Sequence, residues 1–228
     1  MYNLLTTSSM LIGFIGLCLI VYLLYRAWRK TDYAQHPEEY ATKGSTGERL
    51  VYLNLVRGYN IPEEQIFRNV YVPTCNGTTE IDLIVVSKKG LLVFECKNYA
   101  GKIYGDGHRR RWIQYVGRKK SFFLSPLLQN EYHEQALRRY FAEITDLPII
   151  TFVTTTSNAE WHLRNLRPDD YVLGRKDGEL GEIYERLPSA QCMTRYFKTI
   201  CTRLRQLERP DEKIREEHVE RIRRKYHK

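Results

Sequence analysis

No part of this chain limits its possible folds more than an uninterrupted run of 22 uncharged residues, from Leu4 to Tyr25. Its second half, MLIGFIGLCLIVYLLY, is almost wholly apolar. As an α-helix the run is roughly 33 Å long, enough to cross a bilayer core of about 30 Å. It ends in bulky residues rather than in a small-residue cleavage site, which argues against a cleaved signal peptide. We therefore expect an uncleaved transmembrane anchor.

Basic residues follow this run immediately. Arg26, Arg29 and Lys30 predict, by the positive-inside rule, that the C-terminal side of the anchor is cytoplasmic and the N-terminus outside. The expected protein is a single-pass protein of a bacterial-type inner membrane, with an anchor over residues 1–25 and a juxtamembrane linker over residues 26–43.

The charged residues all lie beyond the apolar run. The 228 residues include 36 Lys and Arg against 27 Asp and Glu, a net charge of +9, and no charged side chain precedes Arg26. A basic domain favours polyanions, either nucleic acid or an anionic membrane surface. A hydrophobic content of 43% excludes a disordered or fibrous chain. The five cysteines form no C-x-x-C pair, so we expect neither a disulfide framework nor a structural zinc site.

Strand-like and helical runs alternate beyond the linker, a pattern typical of an α/β domain. A helical apolar stripe ends near Gly58, and the continuous apolar run over 148–155 indicates a strand buried on both faces. We predict a folded domain over 44–155 and an α-rich extension with a basic tail over 156–228. The predicted strands are 66–72, 80–86, 91–97, short segments near Ile103 and over 112–116, 148–155 and 171–173, and the predicted helices are 126–144 and 189–207.

Two neighbouring strand-like runs carry ionisable residues. Alternation places Asp82 on the same side of its strand as Ile84 and places Ile81 on the other side. In the next strand, Glu95 and Lys97 share a side. A hairpin loop of two or four residues puts Asp82 directly opposite Glu95, whereas a three-residue loop destroys this arrangement. The predicted site therefore depends on the register of one hairpin.

Two carboxylates a few ångströms apart repel each other unless a positive group lies between them. Mg²⁺, or in its place Mn²⁺, binds carboxylate oxygens, lowers the pKa of a bound water and polarises a phosphoryl oxygen. Asp82 and Glu95 are thus candidate metal ligands. Lys97 could orient the water or neutralise charge on a phosphate. The alternative is a structural ion pair between Lys97 and one of the carboxylates.

Five segments carry a resemblance to a known family: GERL (47–50), EIDLIVV (80–86), GLLVFECKNYAGKIYG (90–105), Trp112 and SPLLQNEYHEQAL (125–137). In order and approximate spacing they resemble the nuclease-related domain family, NERD, of the PD-(D/E)XK nuclease superfamily. The resemblance implies a restriction-endonuclease-like fold, a central mixed sheet flanked by helices, with a metal-dependent phosphodiesterase-type site. The matching catalytic positions are Asp82, Glu95, Lys97, Glu48 in the first helix and Gln129 in the following helix.

The residues around this core also have structural explanations. Glu48 lies three residues after Ser45, the spacing of a helix capping box. Gln129 and His133 are one helical turn apart, and the face that they share could point to solvent instead of the site. Cys96 fills the middle of the E-x-K motif, where the family usually has an apolar residue, and a small thiol fits that position.

A basic stretch over residues 102–120 is the predicted nucleic-acid-binding segment, with seven Lys or Arg and one Asp. Arginines bind phosphates and stack on bases beside aromatic rings. The alternative is a solvated hairpin tip. The candidate binding residues are Arg109, Arg110, Arg111, Lys119 and Lys120.

These observations predict a membrane-anchored, Mg²⁺-dependent nuclease-like protein that hydrolyses phosphodiester bonds of nucleic acid, with DNA favoured over RNA by the family resemblance. One alternative is a catalytically inactive, membrane-tethered module that binds nucleic acid or a protein. Another is an envelope protein whose positive charge serves lipid contact.

Overall fold

The computed structural model describes residues 20–23, 26, 43–155, 159–174, 179–208, 214 and 216–221. The chain divides into two compact units, residues 1–46 and 47–228. Residues 20–23 and 26 of the first unit are helical. The rest of the predicted anchor and nearly all of the linker lie outside the described residues. Within the described ranges, no helix is both long and apolar enough to span a membrane.

The remaining described residues form a mixed α/β fold with two sheets. Its elements in chain order are α1 (Lys43–Leu53), a π-helical turn (Asn54–Gly58), a 3₁₀ turn (Glu63–Gln65), β1 (Ile66–Thr74), β2 (Gly77–Ser87), β3 (Gly90–Lys97), β4 (Lys102–Asp106), β5 (Arg111–Val116), β6 (Lys119–Leu124), α2 (Pro126–Tyr140), β7 (Ile149–Thr155), β8 (Glu160–Arg164), β9 (Tyr171–Leu173), α3 (Glu179–Arg186) and α4 (Gln191–Leu207).

The main sheet is mixed, with strand order β1-β2-β3-β7-β9. The first three strands are antiparallel neighbours joined by short turns, whereas β3, β7 and β9 run parallel. The apolar residues of β3 are buried on both faces, because α2 and α4 cover one face and α1 and α3 cover the other. This layering is compatible with a restriction-endonuclease-like fold.

The second sheet has strand order β6-β5-β4-β8 and is also mixed. Its parallel pair β4–β8 continues the register of the parallel pair β3–β7, with a short break at residues 98–101 between β3 and β4. Lys97 pairs with Thr155 before the break and Lys102 with Glu160 after it, so both pairs keep the same offset along the chain. Two of the candidate catalytic residues, Glu95 and Lys97, lie at the end of β3 before this break.

The alternation of β2 differs from the prediction at Ile81. Ile81 packs in the same apolar cluster as Ile84, on the α2 and α4 face, although the two residues are three positions apart and simple alternation would put them on opposite faces. The cause lies in β1, where Asn69 has a φ of 50° and stands opposite Asp82 in the register. Asparagine tolerates this left-handed conformation, which interrupts the pleat. The side chains of β1 and β2 therefore change the face of the sheet on which they lie at Asn69 and Asp82.

The segment after residue 155, predicted as an α-rich extension, shares the sheets of the preceding domain. Strand β9 extends the main sheet beside β7, and β8 extends the second sheet beside β4. Helix α4 buries Met193, Ile200 and Leu204 against the main sheet. Strands β6 and β8 and helix α3 were not among the predicted elements, and α2 ends at Tyr140 rather than at residue 144.

Candidate active site

The β2–β3 hairpin has the register on which the predicted site depends. Ser87 pairs with Gly90, which leaves a two-residue loop, and the ladder runs to the pair of Leu83 and Phe94. The next position along this register sets Asp82 opposite Glu95, so the predicted register is confirmed. Beyond it the backbone pairing stops.

At this point a side chain replaces the backbone as the hydrogen-bond acceptor. The backbone N–H of Cys96 donates to Oδ2 of Asp82 at 2.7 Å. The Cys96 side chain packs against the apolar cluster on the α1 face, as a small residue in the E-x-K motif can. Burial, together with the negative charge of Asp82, raises the pKa of its thiol well above the usual range. The thiol is therefore a packing group and not a nucleophile at neutral pH.

Glu95 is held by two basic side chains. It is only 4% exposed. Its Oε1 lies 2.5 Å from Nζ of Lys97, and its Oε2 lies 2.9 Å from Nε2 of His133. The other ring nitrogen of His133, Nδ1, lies 3.0 Å from Oγ1 of Thr79 on β2. A continuous chain of polar contacts thus joins Thr79, His133, Glu95 and Lys97.

The two carboxyl groups of the site have pKa values shifted in opposite directions. Burial raises the pKa of Asp82 well above its usual range, and the negative charges of Glu95 and Glu48 raise it further. The Lys97 charge and the Cys96 amide offset only part of this. Burial also acts to raise the pKa of Glu95, but Lys97 and His133 outweigh it and lower the value to about 2.

Lys97 keeps its proton in this environment. Burial acts to lower the pKa of its ammonium group, but the charges of Glu95, Tyr99 and Asp82 raise it above the ordinary value. Lys97 thus contacts Glu95, and the charges of both act on the pKa of Asp82, whereas the pKa values of the two carboxyls are shifted in opposite directions. Such separation is common at sites that perform acid–base or metal chemistry.

The charge of Glu48 acts on the site, whereas the contacts of Gln129 do not test its predicted role. Glu48 is half-buried on α1, and its charge acts on Asp82 across the space between helix and strand. Because α1 begins at Lys43, Ser45 lies inside the helix, which disfavours the capping-box explanation of Glu48. The half-buried Gln129 side chain makes no hydrogen bond or ion pair with any other described residue, and its site role stays a prediction.

Helix α2 brings His133 to Glu95, a residue for which the sequence left both the site and solvent open, and it also carries the buried Asn130, which the sequence did not single out. His133 contacts Glu95 directly. Asn130, three residues earlier on the same face, is 2% exposed, and neither atom of its amide has a hydrogen-bond partner among the described residues. A usable signal was present: His133 and Asn130 interrupt the apolar stripe of Leu127 and Leu137 at helical spacing.

The residues present fit a hard cation, although the arrangement is not a complete cage. In the described part of the chain, no group of three or more His, Cys, Asp or Glu side chains is placed to hold a metal ion. However, the raised pKa of Asp82 arises partly from nearby negative charge, which a cation would relieve. Carboxylate oxygens are also the donors that Mg²⁺ prefers, and it usually retains several waters.

The predicted nucleic-acid-binding residues lie on and around the second sheet. Arg111 and Lys120 lie on one face of β5 and β6, and Arg109 lines the groove over that face. Arg110 is exposed in the turn before β5. Lys119 pairs with Val116 and, by alternation, points to the opposite side from Lys120.

Comparison with known proteins identifies the family that the sequence motifs resemble. The family model described as the nuclease-related domain, NERD, matches residues 43–156. An uncharacterized protein of Bacillus anthracis is 43% identical to this chain over 96 residues. The matched stretch is 42% of this chain and 45% of that protein, so the match spans less than half of the length of the relative. No solved structure matches the chain.

Proposed function

Because the chain belongs to the nuclease-related domain family, NERD, we propose that it hydrolyses phosphodiester bonds of nucleic acid with Mg²⁺, or Mn²⁺, as cofactor. The observation that carries this proposal is the convergence of Asp82, Glu95 and Lys97 where the β2–β3 ladder ends. A merely structural ion pair needs one carboxylate. Here a second carboxylate is held beside the pair at an electrostatic cost.

Each residue of the group has a proposed role. Asp82 and Glu95 would hold the divalent ion, which when bound supplies a water of lowered pKa and a Lewis acid for a phosphoryl oxygen. Lys97 neutralises charge that develops on the phosphate, since Glu95 holds its ammonium group at the carboxylate pair. Glu48 adds negative charge that strengthens cation binding, and Gln129 is a candidate polar contact to substrate.

The proposed substrate is nucleic acid, with DNA favoured over RNA because of the superfamily to which NERD proteins belong. Arg109, Arg110, Arg111, Lys119 and Lys120 are exposed and carry the positive charge that a phosphate backbone requires. We propose that they hold the substrate beside the strand break.

The test is cleavage of single- and double-stranded DNA and RNA by the purified protein with Mg²⁺, Mn²⁺ or a chelator. We expect Asp82→Asn and Lys97→Ala each to lower the rate by about 100-fold or more. Lys88→Ala is the matched control, because Lys88 is an exposed lysine in the loop of the same hairpin. The control should cleave normally.

Two outcomes contradict the proposal. If the Asp82 and Lys97 variants cleave as fast as the unchanged protein, the activity comes from a contaminant. If pure protein binds nucleic acid but does not cleave it with any metal, the chain is the alternative, a binding module on a nuclease fold.

We also propose that residues 4–25 anchor the protein in the inner membrane, with the C-terminal domain in the cytoplasm. The support is the uncharged run of 22 residues and the basic residues that follow it. We expect the full chain to remain in the membrane fraction after carbonate extraction and a chain starting at residue 43 to be released. Release of both would contradict the proposal.

A further inference from the structure

The two faces of the second sheet differ in their environment. One face is buried: Ile103 of β4 and Trp112 of β5 pack with Leu127 and Val153 in an apolar cluster beneath α2. Side chains alternate along a strand, so the neighbours of these residues point the other way. That opposite side carries a groove of about 1070 Å³ and is called here the open face.

Aromatic rings and cations share the open face. The rings of Tyr104 and His162 are stacked, with centroids 4.6 Å apart, and Tyr115 stands edge-on to Tyr104 at 5.7 Å. The open face is defined by four rings and five cations: Tyr104, Tyr115, Phe122, His162, Lys102, Arg109, Arg111, Lys120 and Arg164.

The cations lie directly beside the rings. The Arg111 guanidinium lies 5.0 Å from the centroid of the Phe122 ring, and Nζ of Lys120 lies 5.0 Å from the same centroid. Lys120 is also 5.8 Å from the ring of Tyr115. The rings are nevertheless open to solvent, because Tyr104 is 41% and Phe122 is 52% exposed.

The positive charge of this face is only partly balanced. Asp106 is paired with Arg164, and Glu160 lies within ion-pair distance of Lys102 and His162. By contrast, Arg109, Arg111 and Lys120 form no salt bridge with any of the described residues. Three cations remain available for a ligand whose charge is negative.

We propose that the open face binds single-stranded nucleic acid, with unpaired bases stacked on Tyr104 and Phe122 and phosphates bound by Arg109, Arg111 and Lys120. Aromatic rings bind bases through stacking, and any base offers a flat surface for it. In a duplex the bases already stack on each other, so a duplex could use only the cations. This inference deepens the proposed function, on which it rests, by naming the substrate class.

The test is direct binding by the full-length protein in detergent and chelator, so that cleavage plays no part. The probes are a labelled oligothymidylate, an oligouridylate and a DNA duplex of the same length, measured by fluorescence anisotropy. We expect the single strands to bind more tightly than the duplex. The two single-strand probes separate DNA from RNA as the source of the ligand.

Ring substitutions test the stacking directly. Tyr104→Ala and Phe122→Ala should each weaken single-strand binding about tenfold and change duplex binding by less than about twofold, because the duplex contacts only the cations. The matched control is Tyr132→Ala, since Tyr132 is also 41% exposed but lies on α2. It should leave all affinities unchanged. Tyr104→Phe retains the ring and should retain binding, which separates stacking from loss of folding.

Three results would overturn the inference: duplex binding as tight as single-strand binding, single-strand affinity unaffected by both ring substitutions, or displacement of the oligonucleotide by polyglutamate at matched charge. The last result would assign the face to an acidic protein. These results are independent of the cleavage assay, because binding without cleavage overturns the proposed function alone, and cleavage without single-strand preference overturns this inference alone.

Discussion

Asp82 and Glu95 show how strongly neighbouring groups can shift the pKa values of two carboxyls in opposite directions. Both carboxyls lie where the β2–β3 ladder ends, yet the pKa of Asp82 is raised by burial and by two nearby carboxylates. The pKa of Glu95 is lowered to about 2, because Lys97 and His133 outweigh the effect of burial. The sequence could place Glu95 and Lys97 together, since they are two residues apart. It could not place His133, which comes from a helix 38 residues later.

The raised pKa of Asp82 makes stability depend on pH. Since the folded protein holds this proton more tightly than the unfolded chain, the stabilisation is complete below the ordinary aspartate pKa and is lost as pH rises through the raised value. Asp82→Asn removes this loss and retains an acceptor for Cys96. In chelator, we expect the variant to be more stable than the unchanged protein by about 1 kcal/mol at alkaline pH, with a smaller difference near pH 4.

Urea unfolding across this pH range measures the difference in the free energy of unfolding. A variant that is less stable at every pH would contradict the assignment of unrelieved charge to Asp82. Added Mg²⁺ should stabilise the unchanged protein and not the variant, because the proposed ligand is missing.

His133 is expected to act as a positioning residue through Glu95. His133→Ala should lower the cleavage rate about tenfold or more, because Glu95 loses one of its two partners. Since His133 also lowers the pKa of Glu95, its loss should move the acid limb of the pH–rate profile to higher pH. His133→Gln keeps a donor and should retain more activity.

His218 provides the matched control for this experiment. It is likewise a buried histidine, and its Nδ1 lies 3.2 Å from Oγ1 of Thr78, next to the threonine that contacts His133. His218→Ala should lower stability and leave the acid limb in place. An unchanged acid limb in His133→Ala would show that His133 serves packing alone.

At the scale of single elements, helix α1 is joined to the turn that precedes β1. The Tyr52 hydroxyl donates a hydrogen bond to Oε2 of Glu63 at 2.7 Å, and the Arg68 guanidinium lies 4.6 Å from the Tyr52 ring centroid. Burial and the Glu63 hydrogen bond raise the pKa of Tyr52 to about 12. Because α1 also carries Glu48, this contact fixes one side of the candidate site.

Tyr52→Phe retains the ring and removes the hydroxyl. We expect a loss of about 1 kcal/mol in the free energy of unfolding at neutral pH. The raised pKa stabilises the folded state fully below about pH 10, and this contribution is lost as pH rises towards about 12. The difference between the two proteins in denaturant unfolding should therefore shrink over that range. A constant difference would show that the hydroxyl does not titrate with folding.

Local patterns predicted most elements of the main sheet, because alternation and turn residues mark β1, β2 and β3 directly. They failed where geometry depends on a single backbone conformation. The change of face at Asp82 follows from the positive φ of Asn69, and the hydrophobic periodicity of the sequence does not predict it. Strand β8 has an exposed, charged sequence, EWHLR, and forms a strand because β4 offers it an edge.

At the scale of the whole molecule, the folded unit is larger than the stretch that defines its family. The family match ends at residue 156, yet β8 and β9 come later and complete the two sheets, and α4 covers one face of the main sheet. The family match covers the candidate site residues, whereas elements after the match cover the core.

A chain of residues 43–156 should consequently fail to fold as a cooperative unit. It lacks α4, which buries Met193, Ile200 and Leu204 against the main sheet, and each such side chain contributes about 2 kcal/mol or more. Residues 43–221 should show a single cooperative transition in urea. A cooperative transition of the shorter chain at the same urea concentration would contradict this expectation.

The break between β3 and β4 also limits the distance between the candidate site and the second sheet. Only residues 98–101 separate Lys97 from Lys102, and an extended chain advances at most about 3.6 Å per residue. The two Cα atoms are therefore no more than about 18 Å apart. If the proposed cleavage and the proposed single-strand binding both hold, a strand bound at the open face is cut within a few nucleotides of its stacked bases, and the released ends have a narrow range of lengths.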